Sequence, residues 1–252
     1  MQTLREEGRS WLVRYAQRRP WRRLGSVTAL GFVTMLIAIP KYTAQTLRKG
    51  VHVELPVTSS AVAMPDADKA DALIVAVTAN GTVYIGIDRT TPAALAQQVK
   101  TILFNHTEQK LFIKVDARIP YANVMKVLDA VRSAGVAAPN LLTDQHESPQ
   151  PGAILPPKGL EVWLAPPAPS APGAESILVQ LKSGQQYPLL NIGNHDVPWE
   201  ALRPRLVQLF ENRSQRVVVL KSDGLLPFAQ VVHVIDVCRS TGAKVVLVTS
   251  TT

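Results

Sequence analysis

Residues 114–135 read KVDARIPYANVMKVLDAVRSAG and residues 221–242 read KSDGLLPFAQVVHVIDVCRSTG. Lys114, Asp116, Pro120, Val124, Val127, Asp129, Arg132, Ser133 and Gly135 recur, each 107 residues on, as Lys221, Asp223, Pro227, Val231, Val234, Asp236, Arg239, Ser240 and Gly242. Tyr121 recurs as the aromatic Phe228. Helical periodicity would repeat the apolar positions alone; it does not repeat a proline, two aspartates and a terminal glycine. A fixed-period match marks duplicated structural units, so the folded part is expected to hold two copies of one small domain. Copies of about seventy residues lie near the lower size limit for an independent core.

Working outward, the first copy is expected over 71–144 and the second over 176–252. Ala72–Val77 is apolar and β-branched, Asn80-Gly81 is a two-residue hairpin signal, and Thr82–Ile85 returns as a strand. Thr91-Pro92 opens a helix with Leu95, Val99, Ile102 and Leu103 at helical spacing. Leu111–Val115 follows as a strand, then a helix from Pro120 stopped by Gly135, then a strand over Asn140–Thr143. The second copy repeats the order with Ile177–Leu181, Tyr187–Leu190, a helix over Pro198–Phe210, Val217–Lys221, a helix over Pro227–Ser240, and Lys244–Thr249. The order ββαβαβ predicts an α+β class, with two tandem two-layer domains whose helices cover one sheet face. Residues 145–175 hold eight prolines and read as a semi-rigid spacer, with Glu161–Leu164 as an added strand.

Upstream, residues 1–23 carry seven arginines against Glu6 and Glu7, so this tail supplies most of the chain's formal charge of +8. A nucleic-acid module would carry its basic residues on the folded face among aromatics, and that class is set aside. Leu24–Pro40, LGSVTALGFVTMLIAIP, is an uncharged run at the short end of what spans a bilayer. Arginines before it predict an N-terminus on the cytoplasmic side. The alternatives are a cleaved signal peptide and a buried core helix. No small-x-small site follows, since Tyr42 would stand at −3 if Ala44 were −1, which favours an uncleaved anchor. Gly25, Ser26, Ala29, Gly31 and Phe32 are the candidate helix-packing positions. Residues 41–70 read as a linker containing one short strand, Val51–Pro56 (VHVELP).

The order and spacing of these features resemble the ExbD/TolR biopolymer-transport family. The run Val115–Gly135 looks like that family's second-helix region: an acidic residue ends a strand, an aromatic opens the helix, and an apolar-apolar-Asp core leads to a glycine. The basic tail, single membrane helix and V-x-V-x-L-P strand at Val51, Val53, Leu55 and Pro56 follow the same plan. The resemblance implies an inner-membrane protein with one membrane span and periplasmic C-terminal domains. It implies an ExbB/TolQ/MotA-like membrane partner, and a TonB/TolA-like periplasmic effector or the cell wall as the soluble domain's contact. The family's proton step needs a membrane carboxylate, because only a group that can be neutralised and recharged carries protons through a low-dielectric site. Here the chain departs from the pattern. Ser26 or Phe32 stands at the aspartate's place, and no Asp or Glu occurs between Glu7 and Glu54. The expectation is an accessory or structural subunit that does not carry the proton, assembled with an aspartate-bearing ExbD/TolR-like sister. The alternative is a tethered periplasmic protein- or cell-wall-binding module with no motor.

Chemistry is sparse in the sequence, and no enzyme, metal or cofactor is expected. Asp116 and Asp223 sit at equivalent strand-to-helix turns, either as partner contacts or as turn side chains bonding local amides. With Tyr121 and Phe228 they form the candidate partner-contact set. Asp129 and Asp236 read as solvated helix faces, with Arg132 or Lys126 within reach of Asp129. His195-Asp196 reads as a helix N-cap, and the histidines show no metal-ligand spacing. Cys238 replaces Val131 of the first copy and reads as a core residue. The last strand of each copy, Asn140–Thr143 and Lys244–Thr249, is a candidate edge for docking an extended peptide.

Overall fold

A computed structural model describes residues 51–105, 110–144, 156–166, 176–184 and 188–249. The basic tail and the apolar run Leu24–Pro40, with Gly25, Ser26, Ala29, Gly31 and Phe32, lie outside the described residues. Among the described residues no helix is long and apolar enough to cross a membrane.

The first half runs β1 (Val62–Ala63), β2 (Leu73–Val77), β3 (Val83–Ile85), β4 (Asp88–Thr90), α1 (Pro92–Asn105), β5 (Leu111–Val115), α2 (Tyr121–Ser133) and β6 (Asn140–Thr143). Two short strands follow, β7 (Lys158–Glu161) and β8 (Trp163–Leu164). The second half runs β9 (Ile177–Lys182), β10 (Leu189–Ile192), β11 (His195–Val197), α3 (Leu202–Phe210), β12 (Val217–Ser222), α4 (Phe228–Ser240) and β13 (Lys244–Leu247). Class and element order follow the sequence reading, with one extra three-residue strand in each half, β4 and β11, and the two-residue β1 within the expected linker.

One sheet has the order β1-β7-β6-β5-β2-β3-β4 and the other β11-β10-β9-β12-β13-β8. Alternation along each strand sends one row of side chains to the helices. Leu73, Val75, Val77, Leu111, Ile113 and Val115 are buried with Leu95 and Val99 of α1 and with Val124, Val127, Leu128 and Val131 of α2. The second half repeats this with Ile177, Val179, Leu181, Val218 and Leu220 against Leu202, Leu206, Val231, Val234 and Ile235. The two sets belong to one continuous apolar cluster. Burial of a large aliphatic side chain contributes about 1.5–3 kcal/mol, so this shared cluster is the dominant favourable term. Helices α2 and α4 each end on a glycine in the left-handed region, Gly135 at φ +98 and Gly242 at φ +77, where a side chain would be strained. Cys238 is buried in the core, and its thiol is pushed up to about 12 by desolvation.

Three details depart from the sequence reading. Val51–Pro56 forms no strand. Its carbonyls take isolated bonds, Glu54 from the Ala117 amide at 2.8 Å and Pro56 from the Asp144 amide at 3.0 Å. The proline-rich segment is more than a spacer, since β7 pairs antiparallel with β6 and β8 pairs parallel with β13. Consequently neither Asn140–Thr143 nor Lys244–Leu247 is a free edge, and neither offers the docking site expected of it. The strand expected over Glu161–Leu164 is present as the end of β7 and as β8; the alternation Leu160-x-Val162-x-Leu164 resembles Val51-x-Val53-x-Leu55 and starts one residue earlier than that reading.

Gly159 of β7 tests this covering role. A Cβ there would meet the Leu141 carbonyl oxygen and lie 2.8 Å from the Met64 sulfur. Gly159→Val should lower stability by about 2–3 kcal/mol in chemical denaturation, because a packed strand pair cannot make room.

Candidate interaction site at the paired turns

Asp116 follows β5 and Asp223 follows β12, each opening a turn that climbs to a proline and a helix. Asp116 is buried, and its carboxylate takes Arg118 Nε at 2.9 Å and Nη2 at 3.0 Å, with the amides of Arg118 and Glu54 both at 3.2 Å. The Arg118 guanidinium holds this carboxyl down at about 2, aided by those two amides and opposed by burial. Asp223 accepts the Leu225 amide at 3.1 Å and the Ser183 amide at 3.4 Å. Leu225 stands where Arg118 stands in the first half, so no guanidinium faces Asp223 from that position. Both carboxylates therefore bond turn amides.

The aromatics face inward. Tyr121 and Phe228 are both buried in the shared core, and burial pushes the Tyr121 phenol far above its ordinary range. What they present outward is backbone. Neither Pro120 nor Pro227 makes a side-chain cap, so the first amides of α2 and α4 need acceptors elsewhere. They find them in the opposite turn. The Tyr121 amide donates to the Leu226 carbonyl at 2.8 Å and the Phe228 amide to the Ile119 carbonyl at 2.9 Å. The Ala122 amide donates to Gly224 and the Ala229 amide to Ala117, both at 2.9 Å. Pro120 and Pro227 lie opposite each other in an antiparallel bridge. Every bond maps onto its reciprocal by the same 107-residue shift, the signature of a self-complementary, two-fold contact.

Other expected residues take different places. Asp129 pairs with Arg132 at 2.7 Å, as its spacing allowed. Asp236 is no solvated face: it is 5% exposed and accepts the amides of Ser59 and Ser60, both at 2.8 Å. His195 and Asp196 lie in β11 and cap no helix; the Asp196 carboxylate accepts from Asn191 Nδ2 at 3.0 Å. His233 stacks on Trp199 with ring centroids 4.8 Å apart. Among the described residues no group of three metal-ligating side chains converges. Sequence reasoning missed Arg118, Ser59 and Ser60. The recurrence of Asp-x-x-Arg at 129–132 and 236–239 was the available signal for the last two.

Two outcomes check this geometry. A Cβ on Gly224 would lie 2.9 Å from the Ala122 Cβ, so Gly224→Val should part the turns and cost about 1–3 kcal/mol, read by thermal melting. The folded value of Asp116 lies below its ordinary 3.8, so its contribution is full above about pH 4 and drains as pH falls toward 2. Acid titration of Asp116→Asn should show a shallower loss across that window than the unsubstituted protein.

Residues 29–146 and 153–252 match the family described as Biopolymer transport protein ExbD/TolR. The chain is also similar to the Tol-Pal system protein TolR of Pseudomonas aeruginosa, 27% identical over 139 residues, which covers 51% of this chain and 94% of that protein. With most of its length matched and an α+β architecture of the expected element order, the chain belongs to the ExbD/TolR family.

Proposed function

We propose that this protein is an accessory or structural subunit of a TolQ/ExbB-like inner-membrane energy-transducing complex, and that it does not carry the proton itself. Membership of a family of transport-complex subunits, with the likeness to TolR, supports the assignment to such a complex and to no enzyme class. The observation that carries the finer reading is the absence of any Asp or Glu between Glu7 and Glu54. Hydroxyls do not titrate near neutral pH, so the Leu24–Pro40 run has no group that alternates between charged and neutral forms. On this reading Leu24–Pro40 is a single-pass anchor with a cytoplasmic N-terminus. An aspartate-bearing ExbD/TolR-like subunit supplies the carboxylate.

The soluble part is read as two tandem ExbD/TolR-type domains that form an intramolecular pair. The 107-residue repeat and the reciprocal bonds between the two turns support it. Such a pair would present one pre-assembled face to a TonB/TolA-like effector or to the cell wall. With Tyr121 and Phe228 buried and Asp116 and Asp223 engaged in turns, that face is built from other residues.

Purification of the tagged full chain from native membranes in mild detergent, followed by mass spectrometry of the intact complex, tests the reading. The expected species contains a multi-helix ExbB/TolQ-like protein and an aspartate-bearing sister. Recovery alone or with cell-wall material only removes the motor and leaves a tethered binding module. A rise in proton-coupled activity on Ser26→Asp or Phe32→Asp would show that the site had lost its carrier.

A further inference from the structure

Each half carries the same Asp-x-x-Arg pair near the end of its second helix, Asp129–Arg132 on α2 and Asp236–Arg239 on α4. Each helix uses its pair on the segment that leads into the opposite half. Arg132 Nη1 of the first half donates to the Ala165 carbonyl at 3.2 Å, on the segment leading to β9, and to Thr249 Oγ1 at 2.8 Å. Asp236 of the second half accepts the Ser59 and Ser60 amides and the Ser60 hydroxyl, on the segment leading to β2. That hydroxyl also lies 3.0 Å from the Asp236 carbonyl oxygen. The polarity of the grip follows the sequence being gripped. Ser59-Ser60 offers two N–H groups and takes the carboxylate, whereas the Ala165 amide is already given to the Leu247 carbonyl and the next residue, Pro166, has none to give. Asp129 accordingly turns to Arg132, and the guanidinium takes the carbonyl.

The serine segment is stitched alternately to both halves. The Thr58 amide donates to the Asp144 carbonyl at 2.9 Å, and the hydroxyls of Thr58 and Thr143 meet at 2.8 Å, both on the first half. The next two residues are fastened to α4 of the second. Val62 and Ala63 then pair with Gly159 and Lys158 of β7 and remain exposed. This stretch is held mainly by polar bonds, with little apolar burial of its own, which is the profile of a segment that opens locally.

We propose that residues 57–63 form a releasable strap across the two halves, with Asp236 as its buckle, so that pull on the N-terminal segment is delivered to the seam between the turns. The direction of pull rests on the anchor reading of Leu24–Pro40. The strap itself does not, and the experiment reads the strap. Amide hydrogen exchange of the full chain in mild detergent is compared with that of Asp236→Ala, which removes the acceptor, and of Ser59→Pro/Ser60→Pro, which removes both amide donors and the Ser60 hydroxyl and leaves α4 untouched.

Loss of hydrogen bonds to a charged group should speed exchange at Ser59 and Ser60 in Asp236→Ala by about tenfold or more. In both variants the seam amides of Tyr121, Ala122, Phe228 and Ala229 should exchange faster, while β5 amides keep their protection. Unchanged exchange at residues 59–60 in Asp236→Ala, or unchanged exchange at the seam in both variants, overturns the proposal. So does an equal loss across β5, which would make Asp236 an ordinary contributor to global stability. Accessibility labelling at both ends of the 24–40 run separately reports on the anchor, so the two failures are distinguishable.

Discussion

The mutual capping of α2 and α4 is the constraint on which the fold turns. A helix whose N-cap is proline has no side-chain cap, and its first amides must find acceptors or lose stability. Here each helix takes its acceptors from the turn that opens the other. Four such bonds contribute only about 1 kcal/mol each, whereas leaving a buried donor unpaired costs about 1–3 kcal/mol. Adhesion therefore comes from the apolar side chains around the bonds, Ile119, Tyr121, Leu226 and Phe228, all buried. The hydrogen bonds fix register. A slip of one residue would strand four amides at once, so the halves meet in one way.

That contact explains why the lead-in segments matter. The helices meet at their N-terminal ends, so the far ends of α2 and α4 would be held by the core alone. The segments around Ser60 and Ala165 run past those ends and bond across them, to Asp236 in one case and from Arg132 in the other. The seam is thus closed at its centre by reciprocal backbone bonds and at its margins by two straps of unequal chemistry. The serine strap's hold on α4 rests on one residue, Asp236, through its carboxylate and its carbonyl. The proline strap spreads its hold over a guanidinium, the Leu164 amide bonded to Ala137 at 2.8 Å, and the Ala165 amide bonded to Leu247 at 2.9 Å.

What the sequence disclosed follows the range of the forces involved. Helices and central strands were legible because their periodicity is local: Val124, Val127, Leu128 and Val131 share a face within one element. Strands β4 and β11 escaped, since Asp88-Arg89-Thr90 and His195-Asp196-Val197 are short, largely exposed edges with no alternation to read. The added strand expected over Glu161–Leu164 corresponds to the end of β7 and to β8, but the start of β7 at Lys158 and the separate partners of the two strands were not legible among the surrounding prolines. The role of Asp236 could not be read from spacing, because its partners lie 176 and 177 residues away. Nor does any propensity report that a proline-capped helix will borrow its acceptors from a copy of itself.

The same geometry bears on stoichiometry. A two-fold contact uses one patch twice, and both copies of that patch are consumed within this chain. A second chain finds no vacant turn of the same kind, because Leu226 and Ile119 already accept from Phe228 and Tyr121 of their own molecule. Two separate family chains that paired through such turns would bring two membrane helices; this chain, on the proposed reading, brings one for the same pair of soluble halves. If that single helix lacks a titratable group, its value to the assembly lies in position. On that reading it fixes a ready-made pair of halves beside a partner that carries the charge.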